Sequence, residues 1–218
     1  VAKARLAGKP YEEEVSKVIA RFKSIAEDLN IIDIMPDVEN AIRSTADRAY
    51  TDDIKYLDSV KAMGEDCSAR VVARYLNSIG KKAIYCNPQE KGLFLKHNEA
   101  GKAVILGETY DNLACLKNEK ALCIFPGFYG YSKEGEIITF SRGGSDITGS
   151  ILAAAVEASV YENWTDVDNV YAVNPNIVKD PFPIFEIAYD EMRELAYAGF
   201  SVLHEEALYP VFVRGIPV

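Results

Sequence analysis

The segment that decides the fold is ALCIFPGFYGYSKEGEIITFSRGGSD, residues 121–146. It begins with a short apolar run that is typical of a buried strand, and Pro126–Gly127 ends that run. The residues that follow predict a hairpin that turns at Lys133–Gly135. Gly143–Gly144 then lead into an apolar segment that we expect to form a helix over Ser145–Val160. A strand, a hairpin and a helix in this order favour a layered α/β fold.

The rest of the chain supports the same class of fold. Two more short apolar runs, AIYC at 83–86 and AVIL at 103–106, predict buried strands. Apolar residues at helix spacing, and then shorter alternating segments, predict the remaining elements. These are helices over about 11–29, 36–49, 51–63 and 64–80, extended segments at 162–167 and 170–173, and helices at 185–198 and 202–209. Strands that alternate with helices predict an α/β domain with a mainly parallel sheet.

Composition excludes several classes of protein. Of the 218 residues, 49% are apolar and 26% are charged, which is the balance of a globular protein. No window approaches the ~18 consecutive apolar residues of a membrane span, so we expect no membrane association. The net charge of −9 argues against a nucleic-acid partner, because such a chain repels a phosphate backbone. Four cysteines without a CxxC pair argue against a zinc site and predict buried, reduced thiols in the cytoplasm.

The loop before the helix at Ser145 predicts an anion site. A glycine-rich loop that leads into a helix presents free N–H groups and the positive end of the helix dipole. Arg142 adds a planar guanidinium that suits a carboxylate or a phosphate, and Asp146 could hold a metal ion or a lysine near phosphates. The same residues also fit a tight turn, with Asp146 as the helix cap and Arg142 on the surface. This short motif alone leaves both interpretations open, and no GxxxxGK[ST] phosphate loop occurs.

Two further segments carry candidate binding residues. Thr165 and Asp166 end an apolar run, and ligands of α/β sheets bind beyond the carboxyl ends of strands. Tyr171 lies close by in sequence and could stack on a flat ring, although the segment also fits a simple turn rich in Asp and Asn. Glu65 follows Gly64 at a predicted helix start, where it would either receive a substrate ammonium or stabilise the helix dipole.

Three segments in order resemble the aspartokinases of the amino-acid kinase superfamily. They are FPGFYGYSKEGEIITFSRGGSDITGSILA at 125–153, ENWTDVDNVYAVNP at 162–175 and YDEMRELAYAGFSVLHEEAL at 189–208. GEDCSARVVARYLNSIG at 64–80 also fits the family, which has Gly-Glu before a helix. The resemblance implies a three-layer αβα sandwich around a mainly parallel sheet, as in carbamate kinase-like folds.

The resemblance also implies a reaction. Aspartokinases transfer the γ-phosphoryl group of ATP, with Mg²⁺, to the side-chain carboxylate of L-aspartate and form 4-phospho-L-aspartate for lysine, threonine and methionine biosynthesis. They are usually homodimers or larger. The family's site residues correspond to Asp146 as the catalytic residue, to Glu65, Arg142 and Ser145 as the residues that bind the amino acid, and to Thr165, Asp166 and Tyr171 as the residues that bind ATP. Within this set Arg142 would hold the α-carboxylate and Glu65 the amino group. No residue is expected to form a metal site of its own.

The chain departs from the family pattern in ways that shape its expected organisation. It contains no KFGGS-type loop, whose lysine is central to catalysis, and no regulatory ACT domain. Asn176 and Ser201 stand where many members have a basic residue. We expect one kinase domain over 1–218 without its phosphate-loop strand, with a substrate-side lobe at 1–120 and a nucleotide-side lobe at 121–218. Such a chain is expected to be inactive or nearly so by itself. Two alternatives are an amino-acid kinase that acts on another substrate and a non-catalytic module that binds ligand.

Overall fold

The computed structural model describes residues 1–141, 143–164, 170–171, 173, 177–197 and 205–218. Within these ranges the α-helices are α1 (Ala2–Leu6), α2 (Glu12–Asp28), α3 (Met35–Asp47), α4 (Asp53–Ser78), α5 (Glu108–Leu113), α6 (Gly144–Ala155), α7 (Tyr189–Tyr197) and α8 (Glu205–Val213). The strands are β1 (Ala83–Tyr85), β2 (Leu95–His97), β3 (Ala103–Ile105), β4 (Leu122–Ile124), β5 (Tyr129–Tyr131), β6 (Ile137–Thr139), β7 (Val170–Tyr171) and β8 (Pro183–Ile184).

The strands form four pairs in the described part of the chain. β1 and β4 are parallel, with Ile84 opposite Cys123, and the pairs β2–β3, β5–β6 and β7–β8 are antiparallel. The positions of the predicted strands at 83–86, 103–106, 121–125 and 136–140 are therefore confirmed to within one or two residues. The prediction that they are buried is wrong for β3 and β4, in which Val104 and Leu122 are exposed. The predicted hairpin is also confirmed, because β5 pairs with β6 and Gly135 takes the turn with φ +82°.

Two apolar clusters hold the main elements together. The first lies among α2, α3 and α4 and includes Val15, Val38 and Cys67, all of which are fully buried. The second joins the strands to α6, and Leu95, Ile138 and Ile151 lie at its centre. Each fully buried aliphatic side chain contributes on the order of 1.5–3 kcal/mol to folding. The second cluster therefore fixes the position of α6 against the hairpin.

The helix α4 corrects one prediction. The sequence predicted two helices separated at Gly64, but α4 runs without a break from Asp53 to Ser78. Its start is capped by Asp52, whose carboxylate accepts hydrogen bonds from the backbone N–H groups of Ile54 and Lys55 at 2.8 and 3.1 Å. An internal glycine costs a helix only about 1 kcal/mol, and the apolar surface that α4 buries outweighs that cost. Glu65 therefore lies in the middle of a long helix.

Replacing Gly64 with alanine is expected to raise the free energy of unfolding by about 0.5–1 kcal/mol, because alanine loses less backbone entropy in a helix. A Cβ atom at this position would meet no heavy atom within 4 Å. Urea unfolding of both proteins measures the difference. Gly80→Ala is the matched control, since Gly80 ends the same helix in open space at φ +78°. We expect it to lower the stability by about 1 kcal/mol. A lower free energy of unfolding in Gly64→Ala would contradict the explanation that Gly64 costs α4 only backbone entropy.

Helices α6 and α7 are shorter than predicted. α6 ends at Ala155 because the chain turns into a left-handed conformation at Glu157, with φ +53°. The N–H group of Ala158 then donates to the carbonyl of Ala153 at 2.9 Å, which is the pattern of a Schellman cap. α7 begins at Tyr189 and not at 185. Residues 162–164 have no regular secondary structure, and the rest of that predicted strand lies outside the described residues.

The cysteines partly fit their predicted environment. All four are free; Cys67 and Cys86 are buried, and burial raises the pKa of each thiol to about 12. Cys115 is exposed and Cys123 is half-buried, so the prediction that all four are buried is wrong. Cys115 lies in a short 3₁₀ turn at Ala114–Asn118, which ends at the surface. None of the described helices combines the length and the apolar character that a bilayer crossing requires.

Candidate active site

The glycine-rich loop leads into a helix, as the sequence predicted. Gly143 is the N-cap of α6, with φ +56°, and Gly144 is its first residue. Ser145 is exposed and Asp146 is half-buried in the first turn. The first N–H groups of a helix have no partner within the helix, and the dipole is positive at this end. This turn can therefore receive a negatively charged ligand.

Two pairs of contacts hold the segment after β4 against the first turn of α6. A Cβ atom on Gly127 would lie 2.8 Å from the Cα atom of Ser145, and one on Gly144 would lie 2.8 Å from Cδ2 of Phe128. The N–H group of Phe128 donates to Oγ1 of Thr148 at 3.1 Å, and that hydroxyl donates to the carbonyl of Gly144 at 2.8 Å. The glycines are needed because the two backbones approach too closely for side chains.

Asp146 is held by residues that sequence analysis missed. Its Oδ1 atom accepts a hydrogen bond from Nδ2 of Asn163 at 3.1 Å, and its backbone carbonyl accepts one from the hydroxyl of Tyr161 at 3.1 Å. Burial, together with the nearby Asp146 carboxylate, raises the pKa of Tyr161 to about 12, so the hydroxyl remains a donor at neutral pH. The interpretation of Asp146 as the helix cap is wrong, because Gly143 holds that position.

Glu65 and its neighbour Asp66 face different surroundings on α4. Glu65 is exposed, and it has no hydrogen-bond or ion-pair partner among the described residues. It lies far from both ends of α4, where the effect of the dipole is lost, so the helix-dipole interpretation does not apply. Asp66 is largely buried and forms an ion pair with Arg70, from Nε to Oδ2 at 2.7 Å.

The hairpin β5–β6 lies between two helices. It contacts the turn of α4 on which Glu65 lies, and the segment that leads into it contacts α6. The hydroxyl of Tyr129 donates to Oδ1 of Asp66 at 3.1 Å, and the hydroxyl of Thr139 donates to Oδ1 of Asp58 at 2.9 Å. Tyr129 and Thr139 are paired across the hairpin, so α4 packs over its open end. Tyr129 also follows Gly127 by two residues. The segment 127–129 therefore contacts both Ser145 and the residue next to Glu65.

The structure describes only part of the predicted nucleotide site. Tyr171 is half-buried on β7, opposite Pro183 of β8. Its neighbour Val170 packs against an apolar cluster to which α6, α7 and α8 contribute Ala153, Met192 and Leu208. Several residues that were singled out lie outside the described residues: Arg142, Thr165, Asp166, Asn176 and Ser201. Asn163 could have been included among the candidate residues, because it stands two residues before Thr165 in the same quoted segment.

The chain is similar in sequence to a known family of proteins. The model of the amino acid kinase family matches residues 7–218. Aspartokinase 3 of Bacillus subtilis (strain 168) is 49% identical over 207 residues, which cover 94% of this chain and 45% of that protein. The aspartokinase of Geobacillus stearothermophilus is 37% identical over 152 residues, which cover 70% of this chain and 37% of that protein. The chain thus spans less than half the length of these curated relatives.

Solved structures show the same likeness in three dimensions. The aspartate kinase of Clostridium acetobutylicum superposes with a TM-score of 0.74 at 32% identity, over 99% of this chain and 46% of that one. Aspartokinase III of E. coli, in complex with aspartate and ADP, superposes with a TM-score of 0.65 at 27% identity, over 86% of this chain and 42% of that one. The predicted α/β class and the resemblance to aspartokinases are thereby confirmed. With a family model that matches nearly its whole length, the chain belongs to the amino acid kinase family.

Proposed function

We propose that the chain is the catalytic part of an aspartokinase, which transfers the γ-phosphoryl group of ATP to the side-chain carboxylate of L-aspartate. The observation that carries the proposal is the first turn of α6, where free N–H groups, Ser145 and Asp146 are held against Gly127. The 49% identity to a Bacillus subtilis aspartokinase supports the choice of substrate. So does the likeness to an E. coli enzyme whose structure contains aspartate and ADP.

The proposal assigns the two charges of the amino acid to two residues. L-Aspartate needs a fixed anion for its ammonium group and a fixed cation for its α-carboxylate. Glu65 supplies the anion, since it is exposed and free of partners among the described residues. Arg142 supplies the cation, and its guanidinium can hold a carboxylate in a bidentate manner. Ser145 adds a hydroxyl on the same loop. In this proposal the side-chain carboxylate of L-aspartate remains available to accept the phosphoryl group.

Phosphoryl transfer depends on positioning and on charge stabilisation. In the proposed reaction an oxygen of the aspartate side chain attacks the γ-phosphorus, the bond to the bridging oxygen breaks, and ADP leaves. The N–H groups at the start of α6 stabilise the negative charge on the transferring group. Thr165, Asp166 and Tyr171 are proposed to bind the nucleotide, and Tyr171 lies half-buried on β7.

The described residues fit a magnesium ion that arrives with ATP. No three His, Cys, Asp or Glu side chains in the described part of the chain cluster closely enough to hold a metal by themselves. Mg²⁺ in nucleotide sites needs only one or two carboxylates, together with substrate phosphates and water. Asp146 would provide one such carboxylate at the start of α6. When bound, the ion neutralises charge on the phosphate oxygens.

Further parts of the proposal follow from the family resemblance. They are a substrate-side lobe at 1–120, a nucleotide-side lobe at 121–218, a homodimer or larger assembly, a cytoplasmic location and a role in lysine, threonine and methionine biosynthesis. The proposed substrate-side lobe at 1–120 contains the whole apolar cluster that α2, α3 and α4 share, which supports its treatment as one unit. The cluster that joins α6 to the hairpin contains residues from both proposed lobes, among them Leu93, Leu95 and Leu113.

The test is a substrate panel with the complete gene product that carries residues 1–218. We expect ADP release that depends on L-aspartate and not on L-glutamate, N-acetyl-L-glutamate or carbamate. Glu65→Gln is expected to raise the KM for L-aspartate about tenfold or more, because it removes the charge that pairs with the ammonium group. Glu13→Gln, at an exposed position on α2, is the matched control and should leave the KM unchanged. Turnover of another amino acid would contradict the proposal, and ligand binding without turnover would favour a non-catalytic module.

A further inference from the structure

We infer that Asp66 is a positioning residue, which uses the hydroxyls of half-buried Tyr85 and buried Tyr129 to hold Glu65 in place relative to the first turn of α6. The inference rests on the proposed function, because it concerns the site where the ammonium group of the amino acid would bind. It adds three residues to that site that do not touch the substrate.

The contacts of Asp66 occupy both oxygens of its carboxylate. Oδ1 accepts hydrogen bonds from the hydroxyls of Tyr85 and Tyr129, the latter at 3.1 Å. Oδ2 accepts one from Nε of Arg70 at 2.7 Å. The guanidinium carbon of Arg70 also lies 4.3 Å from the ring centroid of Tyr85. Only 17% of the Asp66 side chain is exposed, so these contacts replace its hydration.

The surroundings keep this network in one protonation state near neutral pH. Burial raises the pKa of both tyrosines above its usual range, and the negative charge of Asp66 raises it further. Both hydroxyls therefore remain donors. Arg70 compensates the charge of Asp66, so that Glu65 remains the uncompensated carboxylate on this turn of α4. An incoming ammonium group would thus pair with Glu65 and not with Asp66.

The network connects two elements that the proposed site requires. Adjacent residues of a helix differ in direction by about 100°, so a helix turn that is fixed at Asp66 also fixes Glu65. Tyr129, which is 2% exposed, belongs to the segment whose Gly127 contacts Ser145. The hydroxyl of Tyr129 therefore sets the distance between Glu65, which would receive the ammonium group, and the first turn of α6, which would receive the anionic groups. A displacement of Glu65 would weaken the binding of the ammonium group and leave the phosphoryl-binding turn of α6 in place.

The test is Tyr129→Phe in the complete gene product, which removes one hydroxyl and keeps the ring. We expect the KM for L-aspartate to rise about tenfold, with the KM for ATP and kcat within about threefold of the wild type. Asp33→Asn is the matched control, because Asp33 forms a two-bond ion pair with Arg74 of the same helix, at 2.9 and 3.1 Å. The control should change neither KM. Thermal unfolding of each variant shows whether it is folded.

The outcomes separate the inference from the proposed function. An unchanged KM for L-aspartate in folded Tyr129→Phe overturns the inference, and so does an equal rise in both KM values. If Tyr129→Phe does not fold, Tyr85→Phe removes the other hydroxyl from the same carboxylate and is judged by the same criteria. Failure of the proposed function is visible in the wild type alone, as an absence of turnover with L-aspartate. In that case the inference, which rests on it, is overturned as well.

Discussion

Replacing Asp146 with asparagine is expected to lower kcat by about 10²–10³-fold while the protein stays folded. Asparagine has nearly the same shape, and its carbonyl oxygen can still accept the hydrogen bond from Asn163. What the variant loses is the negative charge that is proposed to bind the Mg²⁺ of ATP at the start of α6. The measurement is kcat at saturating ATP and L-aspartate, together with a thermal unfolding curve.

Asp37→Asn is the control for this prediction. Asp37 is an exposed carboxylate in the first turn of α3, so the substitution removes the same favourable interaction with a helix dipole. That interaction contributes about 0.3–1 kcal/mol to stability, and we expect a similar small loss in both variants. The kcat of Asp37→Asn should equal that of the wild type. If Asp146→Asn retained more than a tenth of the wild-type kcat, the catalytic assignment of Asp146 would be wrong.

The second large effect is expected from Gly127→Ala. The added Cβ atom would lie 2.8 Å from the Cα atom of Ser145, so that one backbone segment must move away from the other. Overpacking of this kind costs about 1–3 kcal/mol. The movement would also separate Ser145 from the segment that leads to Tyr129, and activity should fall on the order of 10²-fold. Urea unfolding and kcat/KM with L-aspartate measure the two effects.

Gly107→Ala is the control for steric overlap. It adds the same methyl group at a position where no heavy atom lies within 4 Å. The backbone of Gly107 has φ −55°, which alanine adopts easily. We expect its free energy of unfolding to change by less than about 1 kcal/mol, and its activity to stay the same. Equal losses in the two variants would show that the close approach of Gly127 to Ser145 is not the cause.

The fold and the glycine loop were predictable because their signals are local. A change from helical to strand periodicity, with Pro and Gly at the boundaries, placed β1, β3, β4 and β6 correctly. Gly143 and Gly144 marked the start of α6 for the same reason. The prediction that a helix ends at Gly64 was wrong. The free-energy cost of one glycine inside a helix is small compared with the stabilisation that a long helix gains by packing against its neighbours. Such a balance depends on tertiary contacts that a local pattern does not contain.

The candidate site was predictable only in part, because its geometry depends on contacts between distant residues. In sequence, Glu65 and Asp66 are two equivalent carboxylates, and only the packing of α4 against Tyr129 makes one buried and the other exposed. Asn163 reaches Asp146 across 17 positions, a contact that no periodicity indicates. The roles of all the candidate site residues stay predictions, and Arg142, Thr165 and Asp166 also lie outside the described ranges.

The backbone of Phe128 has a consequence for how this chain can diverge. Phe128 has φ +79°, a left-handed conformation that costs a bulky residue about 1–2 kcal/mol and that glycine adopts freely. Its ring nevertheless occupies the space that a side chain at Gly144 would need. A Cβ atom at 144 would also lie 3.0 Å from the Cα atom of Phe128 and 3.0 Å from Cβ of Phe140, so removal of the ring alone would not make room for it. Position 144 is therefore held to glycine by its neighbours, whatever side chain stands at 128.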